Sequence, residues 1–153
     1  MDWDSFRRNS KGWRFDPIAK LHPKICFGNQ DVPTYPCPSH VVNCATDEVS
    51  PYWFREWYPN KYACIGAIDS LDEDITSWYP KFEEVMNKFL NESDCRMIYV
   101  HCECGINRSA FLCLIYMCKK FGLSLTSVAK SILIQRPCAF TNPSFRKQVV
   151  DYI

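Results

Sequence analysis

Apolar positions in this chain come in two kinds of run. The short kind is continuous and lies at KICFG (Lys24–Gly28), HVVNCAT (His40–Thr46), YACIGAI (Tyr62–Ile68) and MIYVH (Met97–His101). Each has strand length and no polar alternation, which predicts strands buried on both faces. The longer kind repeats with helical spacing. ITSWYPKFEEVMNKFL puts Trp78, Phe82, Val85, Met86, Phe89 and Leu90 on one side of a helix, with Thr76 or Ser77 as its cap and Pro80 in its first turn. SAFLCLIYMCKKFG is apolar nearly all round, so it predicts a helix inside the core, stopped by Lys119, Lys120 and Gly122. Ser124 opens a further helix through Arg136. Asn142-Pro143 caps a last one that carries Phe145, Val149 and Val150 on one side.

Between these runs, TYPCPSH is broken by prolines and reads as loop, and SPYWFREWYPNK (Ser50–Lys61) reads as irregular. Residues 1–24 are polar and dotted with aromatics, an arm or short helix laid on the domain. Strands alternating with helices predict an α/β fold: a central, mostly parallel sheet of about four to five strands flanked by helices. The division expected is an N-terminal arm, residues 1–23, and the main domain, residues 24–153.

Composition narrows the classes. The 153 residues suit one domain. A net charge of +1 advertises neither nucleic acid nor membrane. No apolar run approaches the ~20 residues that span a bilayer, and the opening MDWDSFRRNSKGWRF has no signal-peptide apolar core. The ten cysteines therefore read as reduced thiols of a cytoplasmic or nuclear protein rather than as a disulfide scaffold.

The chemistry concentrates in YVHCECGINRSAFLCLIYMC (Tyr99–Cys118), where a strand ends in His-Cys and a buried helix begins at Arg108-Ser109. The helix start offers free N–H groups and the positive end of a dipole. Consecutive N–H groups of the intervening turn can converge on a tetrahedral oxyanion. Gly105 permits a backbone angle that other residues resist, and Arg108 supplies a planar fork for two anion oxygens. A thiol at the centre of such a cradle ionises easily. Zinc is the rival chemistry for His101, Cys102 and Cys104. A structural zinc site wants a second ligand pair from elsewhere in the chain, however, and Arg108 would sit badly beside a cation. No metal or cofactor is expected.

HCECGINRS resembles the His-Cys, five residues, Arg-Ser/Thr signature of the cysteine-dependent protein tyrosine phosphatase superfamily. KICFGNQDV, HVVNCAT and QRPCAFTNPSFRKQV are similar to patterns of its dual-specificity branch. The resemblance implies that Cys102 is the nucleophile, through a phosphocysteine. It implies that Arg108 and the N–H groups of Glu103, Cys104, Gly105, Ile106, Asn107 and Arg108 bind the phosphate. By the same resemblance Ser109 hydrogen-bonds the thiolate, His101 orients the loop from behind, and Asn142 ties the closing loop to the site. The mechanism also needs a general acid in AIDSLDEDITSW, which offers Asp69, Asp72, Glu73 and Asp74; Asp69 is the choice, because it follows the strand directly. The function implied is hydrolysis of phosphotyrosine and of phosphoserine or phosphothreonine in proteins.

Two alternatives stand beside it. GINRS is similar to relatives that remove phosphates from RNA 5′ ends, which keeps RNA as a second substrate class. A phospho-binding module of weak activity is the other. The arm offers a homodimer contact, and no membrane partner is expected. Packing is the expected role of Cys44, Cys64, Cys113 and Cys118; Cys104 is either packed or a redox partner of Cys102. Trp53, Phe54, Trp57 and Tyr58 are expected to pack a loop on the sheet, and His22 and His40 to lie at the surface or at strand ends.

Overall fold

The computed structural model describes residues 1–153. Five strands form one sheet: β1 (Ala19–His22), β2 (Ile25–Gly28), β3 (His40–Asn43), β4 (Tyr62–Cys64) and β5 (Ile98–His101). Their order is β1-β2-β5-β3-β4, antiparallel only between β1 and β2. The helices are α1 (Tyr52–Trp57), α2 (Tyr79–Leu90), α3 (Arg108–Phe121), α4 (Leu125–Gln135) and α5 (Pro143–Tyr152). This is the flanked, mostly parallel sheet that the apolar runs predict. No helix is long and apolar enough to cross a membrane.

The central strands β5 and β3 are buried at every position, which is why their sequences show no alternation. Side chains nevertheless divide between the two faces. Ile98 and Val100 point into the larger core, with Leu114, Ile115 and Phe111 of α3. Tyr99 and Val41 point to a smaller cluster with Phe54 of α1 and Val32. Within α3 every residue from Ser109 to Cys118 is buried, so its all-round apolarity marks a helix enclosed by sheet and neighbouring helices.

Several local expectations are corrected. Ser50–Lys61 is not irregular throughout: its aromatics form the short α1, and Phe54 anchors it while Trp57 stays exposed. The run Tyr62–Ile68 contributes only three residues to β4, because the chain turns at Gly66 (φ +83) to begin the loop towards Asp69. Asp74, rather than Thr76 or Ser77, supplies the cap below α2: its carboxylate accepts the Thr76 N–H at 3.0 Å at the start of a 3-10 turn, Ile75–Trp78, that leads into the helix. His40 lies at a strand end as expected but is fully buried, with Nε2 2.9 Å from Glu92.

Residues 1–23 are laid closely on the rest. Ala19–His22 adds the antiparallel edge strand beside β2. Trp3 is buried against Phe111 and Phe140, with ring centroids 5.8 and 5.1 Å away. Four strands, β2, β5, β3 and β4, run parallel. The loops after them therefore leave the same edge of the sheet, where α/β proteins bind ligands.

Candidate active site

The loop after β5 runs from Cys102 to Asn107 and enters α3 at Arg108. Its shape follows from where its carbonyls are tied. The Cys102 carbonyl accepts from His101 Nδ1 at 2.8 Å and the Glu103 carbonyl from the Gln30 N–H at 3.0 Å. The Cys104 and Gly105 carbonyls accept from Arg136, through Nη2 at 2.7 Å and Nε at 2.8 Å. The Ile106 carbonyl accepts from the Phe140 N–H at 2.8 Å. In a trans peptide the N–H points opposite the carbonyl. Each carbonyl drawn outward thus turns the next N–H to the inside. None of the backbone N–H groups from Glu103 to Asn107 donates to another group of the protein. Gly105, at φ +67, makes the tightest part of the turn against the end of β2.

Cys102 lies at the floor, 2 % exposed, with Sγ 3.2 Å from Ser109 Oγ. Arg108 reaches over the loop. Its Nη1 donates to the Ala67 carbonyl at 3.1 Å, Nη2 is 3.9 Å from Glu103, and the buried Nε has no partner. His101 is fully buried behind the loop. Burial, against an opposing pull from the Cys102 carbonyl, lowers its pKa from 6.5 to about 4. Its ring is thus neutral at pH 7, and Nδ1 carries the proton because a carbonyl can only accept. Nε2 is buried without a partner.

A cavity of about 370 Å³ opens above Cys102. Glu103, Cys104, Ile106, Asn107 and Arg108 line it from the loop, Asp69 and Ile68 from the loop after β4, and Thr141 from the segment before α5. Asp69 is thus brought to the cavity, whereas Asp72, Glu73 and Asp74 are not among its lining residues. Burial pushes the Cys104 thiol up, and the neighbouring Glu103 adds to the push. All ten cysteines are free. Away from the cavity, His40, Glu92 and Asp94 gather within 4.8 Å. The Lys61 ammonium already lies 2.7 Å from Glu92 and 2.9 Å from Asp94, which makes this an ion-pair cluster rather than a ligand set.

The family described as "Dual specificity phosphatase, catalytic domain" matches residues 39–153. The chain belongs to the dual-specificity phosphatase family. Among curated relatives of this family it is 32% identical over 113 residues to human dual specificity protein phosphatase 4, covering 73% of this chain and 27% of that one. It is 29% identical over 141 residues to mouse dual specificity protein phosphatase 8, covering 88% and 20%. The chain thus spans less than a third of the length of the curated relatives it matches. Its fold is similar to that of human DUSP28, at TM-score 0.73 with 21% identity over 89% of this chain and 92% of that one. It is also similar to human tyrosine phosphatase-like serine/threonine/tyrosine-interacting protein, at TM-score 0.72 with 18% identity over 90% and 95%.

Within this dual-specificity phosphatase domain, two residues at the site escaped the reading of the sequence. Arg136 is 1 % exposed and makes five hydrogen bonds, all to backbone carbonyls: those of Cys104 and Gly105 in the loop, and those of Trp13, Asp16 and Pro17 in the arm. It follows Gln135 at the end of α4 and precedes Pro137, and nothing in these neighbours shows where its side chain goes. Thr141 left no signal of its own.

Proposed function

We propose that this chain is a cysteine-dependent phosphatase that hydrolyses phosphotyrosine and phosphoserine or phosphothreonine in proteins. One observation carries the proposal: the unpaired N–H groups of Glu103–Asn107 and the partnerless Nε of Arg108 belong to the loop and helix start that border the same cavity as Cys102. Such a set satisfies the oxygens of a phosphoryl group and places sulfur on the phosphorus side.

Chemistry then runs in two displacements. The Cys102 thiolate attacks phosphorus, the P–O bond to the leaving side chain breaks, and Asp69 gives that oxygen its proton. A phosphocysteine results. Asp69, now ionised, takes a proton from water as the water oxygen attacks phosphorus. The S–P bond breaks, sulfur leaves as thiolate under the hydrogen bond from Ser109, and inorganic phosphate is released. Arg108 spans two equatorial oxygens as charge spreads onto them. His101 holds the Cys102 carbonyl and takes no part as a base. The substrate is the phosphorylated protein itself, met in the cytoplasm or nucleus.

Turnover of a phosphotyrosine peptide, a phosphothreonine peptide and a 5′-triphosphorylated RNA by one preparation tests the reading. Both peptides should release phosphate, and Cys102→Ser should bring release below a few per cent of wild type while the fold persists. Release from the RNA alone, or undiminished release by Cys102→Ser, would overturn it.

A further inference from the structure

Asn107 occupies the N-cap position of α3, where an asparagine side chain ordinarily accepts an N–H from the first turn of its own helix. Here it accepts none. Although only 7 % exposed, its amide is turned away from the helix and is fully used elsewhere. Oδ1 accepts the backbone N–H groups of Thr141 and Asn142, both at 2.9 Å. Nδ2 donates to Asp69 Oδ2 at 3.0 Å and to Thr141 Oγ1 at 3.1 Å. The local use of the residue has been given up for contacts with two distant loops.

Both loops bear the marks of that arrangement. Phe140, directly before Thr141, is the one residue other than glycine with positive φ (66°). A left-handed conformation costs an L-residue roughly 1–2 kcal/mol and persists where surrounding contacts over-determine it. Phe140 is fully buried, and the turn it makes directs successive N–H groups to Ile106 O, then twice to Asn107 Oδ1. On the other side, Asp69 lies in an exposed loop, yet both its oxygens are held. Asn107 donates to Oδ2, and Asn142 donates to Oδ1 at 3.0 Å. The Asn142 oxygen is itself locked, as the cap of α5.

We propose that Asn107 is the positioning residue of the general acid: its amide fastens the acid loop and the closing loop to one point of the phosphate-binding loop, so that Asp69 is set in place before substrate arrives. The proposal rests on the phosphatase reading above for the role of Asp69. An amide is suited to the task because its oxygen can accept twice while its nitrogen donates. A carboxylate of the same shape can accept but cannot donate. A hydroxyl offers one proton and less reach.

Asn107→Asp separates this role from simple packing. The shape and the two bonds accepted from Thr141 and Asn142 remain, while the donor to Asp69 is replaced by a like charge. Turnover of a phosphothreonine peptide, whose leaving oxygen needs a proton, should fall about 10²-fold, within the usual worth of a positioned acid. Turnover of an aryl phosphate with a strongly acidic phenol should fall at least about tenfold less, because its leaving oxygen needs little protonation; the part of the loss common to both substrates is that of a negative charge placed beside the cradle. The deficit should shrink as pH is lowered, since a protonated carboxyl can donate again. Equal losses on both substrates, no loss on either, or a deficit independent of pH would overturn the assignment.

A second measurement does not depend on turnover. In hydrogen exchange, Asn107→Asp should quicken residues 68–74 and leave 139–142 as in wild type; Asn107→Ala should quicken both. Unchanged exchange at 68–74 in both variants would defeat the clamp. A wild type that releases no phosphate from any substrate would instead defeat the phosphatase reading and, with it, the catalytic half of this proposal.

Discussion

Gly105→Ala tests whether the position of the loop after β5, rather than its mere composition, makes the anion cradle. A Cβ at Gly105 would lie 2.4 Å from the Gly28 carbonyl carbon, 2.5 Å from its oxygen and 2.8 Å from the Asn29 nitrogen. Carbon atoms in contact sit about 3.5–4.0 Å apart. All three neighbours are backbone at the end of β2, which pairs with β5, so no side chain can swing aside. The loop and the strand end must part by about 1 Å to restore contact distance. The residue must also hold φ +67, at a cost of roughly 1–2 kcal/mol outside glycine. Overpacking of this kind adds typically about 1–3 kcal/mol. For a domain of this size the melting temperature should drop by about 5–15 °C. The shift also moves the N–H groups of Gly105 and Ile106 relative to Cys102, and a misplacement near 1 Å costs about 10²-fold in rate. The assay is a thermal melt together with kcat/KM on an aryl phosphate. Gly28→Ala is the comparison: its Cβ would meet the Tyr99 hydroxyl at 2.5 Å, a side-chain tip that bonds the Asn29 carbonyl. It should lose stability with a much smaller loss of rate. If Gly105→Ala melts within 2 °C of wild type, the steric argument is wrong. If it melts lower but keeps its kcat/KM, the link from loop position to cradle is wrong.

Arg136→Lys should be strongly destabilising, by about 3 kcal/mol or more, because one ammonium cannot serve five carbonyls and leaves buried acceptors unpaired; a melting temperature within a few degrees of wild type would show that solvent replaces the guanidinium. His101 is held neutral with its pKa lowered from 6.5 to about 4, whereas the unfolded chain takes up that proton just below 6.5. The His101 contribution is therefore complete above pH 6.5 and is lost as pH falls towards 4, amounting to about 3 kcal/mol at the lower end. The wild type should lose more stability than His101→Asn across that window in urea titrations, and parallel pH curves would refute the assignment. Incubation with EDTA should leave phosphate release unchanged, since in the proposed mechanism Arg108 and the loop N–H groups supply the electrostatics; activity lost to the chelator and restored by zinc or magnesium would refute a metal-free mechanism.

The sequence by itself determined what depends on neighbours along the chain. Strands buried on both faces must be short apolar runs, and a helix enclosed on all sides must be apolar all round, so β2, β3, β5 and α3 were legible. The same holds for the junction at Cys102–Ser109, because a strand end, a tight turn and a helix start are consecutive residues. Asp69 could be chosen because it directly follows an apolar run, and the fold places it at the cavity. Tertiary structure decided the rest. Ala19–His22 has an ordinary polar edge-strand sequence, and only pairing with β2 makes it a strand. The propensity of the Ser50–Lys61 aromatics was ambiguous until Phe54 found its place under the sheet. Arg136 reaches the arm 119 to 123 residues away in sequence, and Asn107 reaches Asp69 38 residues away. No periodicity marks such contacts. Hydrogen bonds of this kind are chosen by which groups folding leaves buried and unpaired together, and that exists only once the layers have packed.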